Sequence, residues 1–471
     1  MIATKCNDVH FKTNESQGVP KRMAGVLVGI DVGTTSTKAV VTDLSGAVIS
    51  RSRIPIAWGQ KDGRTELDPR TLVVAAREAI AEALSRCPGK KVRALGVASM
   101  GESGVLLDGR DNPLAPVIAW HDTRDSKEVE ELADELGEGE FTATTGLPLR
   151  PQWSLTKHRW QVRNMPNVQT AVKRLGVAEW VVRALGGEQV SEQSLASRTG
   201  WLRLADRTWW GEAMEWSQTT ENLLPDLVAP GTAVGRVTQT DGLAALNDAV
   251  LVVAGHDHQA AAVGAGATQP GDVLDSCGTA EALVRTVETG VDAQAIRRLA
   301  NAGITTGWHV LADRWCLLGG TQGGLALQRV LSLLGLQQGD IERLESESHY
   351  HDWVTVHGID SDELHIHGIT DGVRPQDVWC AALHAVNTRS AEVHAEMTAV
   401  VGKHRDFIAT GGWTRSVGFL AAKRAAFGPV RIASSQEAAA DGAARIAGMA
   451  TGSLDKTPSA SVETPTPAGS A

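Results

Sequence analysis

The sequence predicts an α/β protein built as two halves, each opening with β-hairpins and closing with helices. Three observations predict it. From residue 26 the chain reads VLVGID, a Gly/Thr turn, KAVVTDL, an SG turn and AVISRSR, which is three consecutive strands joined tightly, a β-meander. A helix and then a single buried strand follow, giving the order β-β-β-α-β rather than the β-α-β-α alternation of a doubly wound nucleotide fold. The same grammar returns after about residue 250, where LVVAGHD, GDVLDSCGTAEALVRTV and HVLADRWCLLGG read as strands and hairpins.

Taken in order, the first helix is ELDPRTLVVAAREAIAEALSRC, with Asp68 as the cap and Pro69 at the first helical position. VRALGVAS is the buried strand after it. In the second half TQGGLALQRVLSLLGL reads as a helix and DFIATGG as a strand running into glycines. The helix SVGFLAAKRAAFG and the segment PVRIASSQEAAADGAARIAGMA follow. The division falls after a Pro- and Gly-containing stretch, giving residues 25–250 and 251–450. Residues 1–24 lack apolar periodicity and read as a disordered arm, inside which Met23 could be the native start. Residues 451–471 are rich in Ser, Thr, Pro and Ala and read as a disordered tail.

Composition removes several function classes. The chain has 471 residues, with 45 Lys and Arg against 55 Asp and Glu, a net charge of −10. That balance offers no general attraction to nucleic acid or to an anionic membrane surface. No apolar run reaches the roughly 18 residues of a membrane span. Five scattered cysteines without a C-x-x-C pair argue against a disulfide framework and fit a reducing cytoplasm.

Four segments could carry chemistry. Asp31-Val32-Gly33-Thr34-Thr35 lies between two strands, where free N–H groups and hydroxyls can cradle phosphate and a carboxylate can hold Mg²⁺. A Walker loop is excluded, because its spacing and its helix are both missing. Cys277-Gly278-Thr279-Ala280 repeats the hairpin in the second half, so the two turns together would form a two-sided phosphate clamp. Asp257 ends an apolar strand at a cleft edge, where it could accept a proton from a hydroxyl; its plainer reading is a helix cap. Gly411 and Gly412 sit where a strand turns into a helix, which suits a flat ligand and a phosphate. His256, His258, His349, His351, His357, His365 and His367 permit a transition-metal reading. No partner set is defined for them, so solvated or core histidines are the expectation.

In this order the motifs resemble the FGGY family of carbohydrate kinases, of the xylulokinase and glycerol kinase kind. The pieces are GIDVGTTSTKAVVTD, GVASMGESGVLLD with PVIAWHDTR, WSLTKHRWQVRN, AGHDHQAAAVGAG, DSCGTAEAL, and IATGGWTRS with QEAAADGAARIAG. The resemblance implies two ribonuclease-H-like (actin-like ATPase) domains around a central cleft. It implies ATP and Mg²⁺ as cofactors and a small sugar or polyol, such as the pentulose xylulose, as acceptor. Asp257 would be the general base and Asp31 the Mg²⁺ residue. Gly33, Thr34, Thr35, Gly278, Thr279, Gly411 and Gly412 would meet the nucleotide. Met100, Glu102, Trp120, Asp122 and His258 would meet the acceptor. Glu102 matches the last residue of the glycerol kinase triplet Gln-Arg-Glu, while Gly101 lacks its arginine, so a tetrulose, tetritol or glycerol-like polyol stays open. A non-catalytic sugar-binding relative is the alternative of another class. The resemblance leaves a homodimer open.

Overall fold

A computed structural model describes residues 25–220, 222–346 and 350–455. The expected arm at 1–24 with Met23, His349, and the tail beyond residue 455 lie outside the described residues. Two six-stranded mixed sheets organise the chain. The meander forms as expected from β1 (Val26–Val32), β2 (Ser36–Asp43) and β3 (Val48–Pro55). Helix α1 (Pro69–Ser85) starts where Asp68 accepts from the Arg70 N–H at 2.9 Å. It buries Leu72, Ala76 and Ile80. Strand β4 (Val92–Ser99) then pairs parallel to β1. Helix α2 (Ser154–Asn164) precedes two more strands of the same sheet, β5 (Ala233–Arg236) and β6 (Val250–His256). The order is β3-β2-β1-β4-β6-β5, with β4 and β6 also parallel.

The expected division at 250/251 therefore falls inside a strand of the first sheet. Hydrogen bonding of β6 to β4, with Val250 opposite Ala94, carries the first sheet on to His256. The next element is helix α3 (Asp257–Ala265).

The second sheet contains β7 (Val273–Cys277), β8 (Glu281–Val287), β9 (Thr305–Trp308) and β10 (Trp315–Thr321). Helices α4 (Gly323–Leu333) and α5 (Pro375–Val401) follow. Next come β11 (Phe407–Thr410), α6 (Val417–Phe427), β12 (Arg431–Ile432) and α7 (Ala438–Ala450). The order β9-β10-β8-β7-β11-β12 is similar to the first sheet's plan: the antiparallel strands β8, β10 and β9 lie on one side of β7 and the parallel strands β11 and β12 on the other.

Helices α3 and α7 lie between the sheets. Ala261, Ala262 and Ala265 of α3 pack with Leu274, Val284 and Ile408 of the second sheet, while Ala443 and Ala444 of α7 pack with Leu27, Ala94 and Val252 of the first. The two helices touch backbone to backbone, since a Cβ on Gly442 would lie 1.8 Å from the Ala260 carbonyl oxygen. This is why Ala and Gly fill the facing sides of both segments, DHQAAAVGA and AAADGAARIAGMA. Residues 451–455, expected to open a disordered tail, instead pack on the fold: the Leu454 N–H donates to the Gly448 carbonyl and its side chain packs on the α7 cluster.

Candidate functional site

Strands β1, β4 and β6 end side by side, with Asp31 opposite Ala98 and Ser99 opposite His256. The segments after them open onto one edge of the sheet, the place where parallel strands present ligands. After β1 the Gly33 N–H donates to the Ser36 carbonyl at 3.1 Å and closes the turn. Thr35 is exposed at its tip. The Thr34 hydroxyl accepts from Trp120 Nε1 at 3.0 Å, and its carbonyl accepts from Trp58 Nε1 at 2.6 Å. Asp31 is buried with Oδ2 3.3 Å from Lys38 Nζ, which lies equally far from Glu437. Its Oδ1 is buried and makes no hydrogen bond. Burial lifts the Asp31 pKa to about 6 against the pull of Lys38.

The end of β6 is shaped by its neighbours. Gly255 has φ +84°, and a Cβ there would lie 2.3 Å from Ser194 Oγ. That hydroxyl accepts from the His256 N–H at 2.9 Å and donates to the buried Glu192 carboxylate. The strand thus bulges and stops, and Asp257 becomes the first residue of α3. Asp257 is no helix cap: the cap position is His256, and no side chain there bonds the helix. Its Oδ1 accepts from the His258 N–H at 2.6 Å. Burial raises its pKa to about 7; the His258 bond opposes this and the Glu102 charge adds to it.

Thr34, Met100, Glu102, Trp120, Asp257 and His258 line one cleft of about 640 Å³. Glu102 holds φ +31°, a strained backbone fixed from several sides. Its carbonyl accepts from Ser154 and from Arg174 Nη2 at 3.2 Å. Its Oε1 accepts from Arg198 Nε and Nη2, at 2.9 and 2.6 Å, and from Gln152 Nε2 at 3.0 Å. Of the two Glu102 oxygens, Oε1 is thus already engaged by protein donors. Gly101 is also accounted for, because a Cβ there would lie 3.0 Å from His256 and 3.1 Å from Arg198.

Asp122 is not brought to the cleft. Its carboxylate accepts from Arg124 Nε and Nη2, both at 2.8 Å, and from the Thr65 N–H at 2.6 Å. Despite desolvation, those bonds hold its pKa down to about 2. It anchors a turn, together with Lys157, whose Nζ donates to the Asp122 carbonyl at 2.7 Å and to Asp125 at 3.1 Å. His158 beside it is a neutral core residue against Trp201, its pKa pushed down to about 3 by burial.

Gly278, Thr279 and Gly412 line a second cavity of about 850 Å³, walled also by Trp413, Glu345 and Val417. Gly411 stands behind it. With φ +102° and a would-be Cβ 2.4 Å from the Cys277 carbonyl, it locks the strand end against the hairpin. Beneath that hairpin, Lys423 Nζ lies 2.7 Å from Asp275 Oδ2 and also pairs with Glu281, all three fully buried. Ser390 and Thr321 donate to the other Glu281 oxygen. Among the described residues, the group whose donor atoms could hold a metal is Asp275, Cys277 and Glu281. Lys423 already supplies the positive charge there. His357, His365 and His367 are exposed on a surface hairpin, as expected of solvated histidines.

Reading by motif missed Ser194, Gln152, Arg150, Arg198 and Lys423. Lys423 had a signal, a charged residue in the apolar helix VGFLAAKRAAF. Arg150 and Gln152 flank Pro151 in an otherwise apolar stretch. Arg198 and Ser194 had none, because only tertiary folding brings them to Glu102 and to β6.

The N-terminal domain of the FGGY family of carbohydrate kinases matches residues 26–264. A xylulose kinase of Streptomyces coelicolor is 32% identical over 328 residues, covering 67% of this chain and 64% of the relative. A gluconokinase of Bacillus subtilis is 28% identical over 270 residues, covering 56% and 52%. The chain thus spans between half and two thirds of the length of these relatives. The crystal structure of xylulose kinase from Rhodospirillum rubrum superposes with a TM-score of 0.82 at 24% identity, covering 90% of each chain, which shows the shared two-sheet actin-like fold. With a family match across the first sheet and α3, the chain belongs to the FGGY family of carbohydrate kinases.

Proposed function

We propose that this chain transfers the γ-phosphate of ATP to a hydroxyl of a small sugar or polyol. The observation that carries the reading is Asp257, a half-buried carboxylate with a pKa near 7 in a cleft flanked by two glycine hairpins. In the proposed step the acceptor oxygen attacks the γ-phosphorus in line and Asp257 takes its proton. The bond to the γ-phosphorus forms as the bridging bond to ADP breaks. A base poised near neutral pH suits this work, and the remaining rate comes from positioning and charge neutralisation.

Gly278 and Thr279 would hold the phosphates and the cavity at Gly412 and Trp413 the nucleoside. Gly33 and Thr35 would face the phosphates from the other side. Thr34 is assigned instead to the acceptor cleft, because its hydroxyl is held by Trp120. A divalent cation fits at Asp31, whose buried Oδ1 lacks a partner, and when bound it would neutralise phosphate charge there. Asp31 and Lys38 hold that pocket in shape. We read the first sheet, to His256, as the acceptor domain and the second as the nucleotide domain, which would close on each other and so limit attack by water. The relatives' names span xylulose, gluconate and glycerol kinases, and a pentulose is one acceptor among these. Buried thiols at Cys87, Cys277 and Cys316 support a reducing, cytoplasmic setting. The test is ADP release across ketoses, aldoses, polyols and sugar acids, with Asp257→Asn as blank. Equal release by both proteins on every acceptor would overturn the reading.

A further inference from the structure

Two of the three arginines lining the acceptor cleft are paired with carboxylates and the third is not. The three are Arg150, Arg198 and Arg389. Arg198 is bound to Glu102 through two nitrogens and donates its third, Nη1, to Thr305 at 2.7 Å. Arg389 donates to Asp360 at 2.6 Å and to Glu392 at 3.0 Å. Arg150 has no carboxylate. Its Nε donates to Gln152 Oε1 at 2.8 Å, and neither terminal nitrogen finds an acceptor among the described residues.

The group is nonetheless held in place. Its guanidinium carbon lies 5.5 Å from the centroid of the buried Trp153 ring. Gln152 links it to Glu102, and through Glu102 to Arg198. Burial lowers the Arg150 pKa to about 10, helped by the nearby Arg198 charge and opposed by Glu102, so it stays charged at neutral pH. A fixed, charged fork therefore stands in the same cleft as the candidate base, with its two terminal nitrogens open. Such a fork matches a carboxylate held by two parallel bonds. A neutral sugar would leave the charge uncompensated in a partly desolvated site, which is costly.

Resting on the kinase reading above, we propose that Arg150 is the acceptor-specificity residue. It would pair with a carboxylate at the end of the acceptor remote from the hydroxyl that is phosphorylated. The acceptor class is then a polyhydroxy acid of the aldonate type, rather than a neutral ketose or alditol. Glu102 Oε2 and Trp120 would meet the hydroxylated carbons between the two ends.

The experiment measures binding by calorimetry on the full chain without nucleotide, and then steady-state phosphorylation. The probes are threonate, xylonate and gluconate, each compared with the alditol of the same carbon count and with xylulose. Aldonate should bind about ten- to hundredfold tighter than its alditol, as expected for a charge-assisted pair. Arg150→Gln should bring that ratio close to one, and Arg150→Lys should keep part of it. Equal or tighter binding of alditols by the native chain would overturn the inference, as would an unchanged ratio in Arg150→Gln. A kcat loss in Arg150→Gln shared by all acceptors, with selectivity intact, would place the guanidinium on the transferred phosphate and also overturn it. Turnover of neutral acceptors without any aldonate preference sinks this inference alone. Aldonate selectivity that depends on Arg150, with no acceptor turned over, sinks the kinase reading alone.

Discussion

Replacing Asp257 with Asn should remove activity and stabilise the fold, and the two effects share one cause. The carboxylate is raised from 3.8 to about 7, chiefly by burial. Each tenfold change in proton affinity is worth about 1.36 kcal/mol, which sets an upper bound of about 4 kcal/mol well above pH 7. The side chain is 21% exposed, and solvent screening reduces the expected gain to about 2 kcal/mol. A raised acid contributes stability that is full below its unfolded pKa and is lost as pH rises through the folded value. The native protein therefore carries the ionised, poorly solvated group above pH 7 and a protonated one below pH 4. Asparagine keeps an oxygen for the His258 N–H, so the substitution removes charge and little else. Denaturant unfolding of both proteins across this range should show a stability gap that opens between about pH 4 and 7 and is largest at pH 8. Phosphorylation should fall about 10²- to 10⁴-fold, the usual worth of a general base. In the native enzyme kcat/KM should rise with pH through about 7. An Asn variant that turns over normally, or that is less stable at pH 8, would refute the reasoning.

Three further perturbations test other parts. Lys423→Met leaves Asp275 and Glu281 buried without their cation and should cost about 3–5 kcal/mol in urea unfolding; a loss below about 1 kcal/mol would show the triad to be unimportant. Glu102→Gln leaves Arg198 without its anion and should raise the acceptor KM about ten- to hundredfold in steady-state assays while sparing the KM for ATP. Gly442→Ala forces α7 off α3 and should lower the melting temperature by an amount equivalent to about 1–3 kcal/mol or more; an unchanged melting curve would contradict the close crossing.

Features written in local chemistry were legible from sequence. The two hairpins at Gly33 and Gly278 announce themselves by small residues between alternating apolar runs, and Asp68 with Pro69 marks a helix start. Asp257 stood out as an acid at the end of a buried strand. Features decided by distant partners were not legible. Asp122 and Glu102 are both acids near a turn, yet one is consumed by Arg124 and the other is presented by Arg198. No local pattern distinguishes them. Strand β6 reads like the opening of the second half, and only its pairing with β4 shows that it closes the first sheet.

The placement of α7 also constrains how the protein can be made. Arg445 donates to the Gly46 carbonyl across a sequence separation of 399 residues, and the face of the first sheet formed by Leu27, Ala94 and Val252 is covered by Ala443 and Ala444. During synthesis that face emerges early and must wait for Ala438–Ala450 before its cover exists. Contacts of such long range are entropically expensive to close and slow to form. Until α7 is made, the first sheet is patterned but unsealed, and sealing it is coupled to synthesis of the second half.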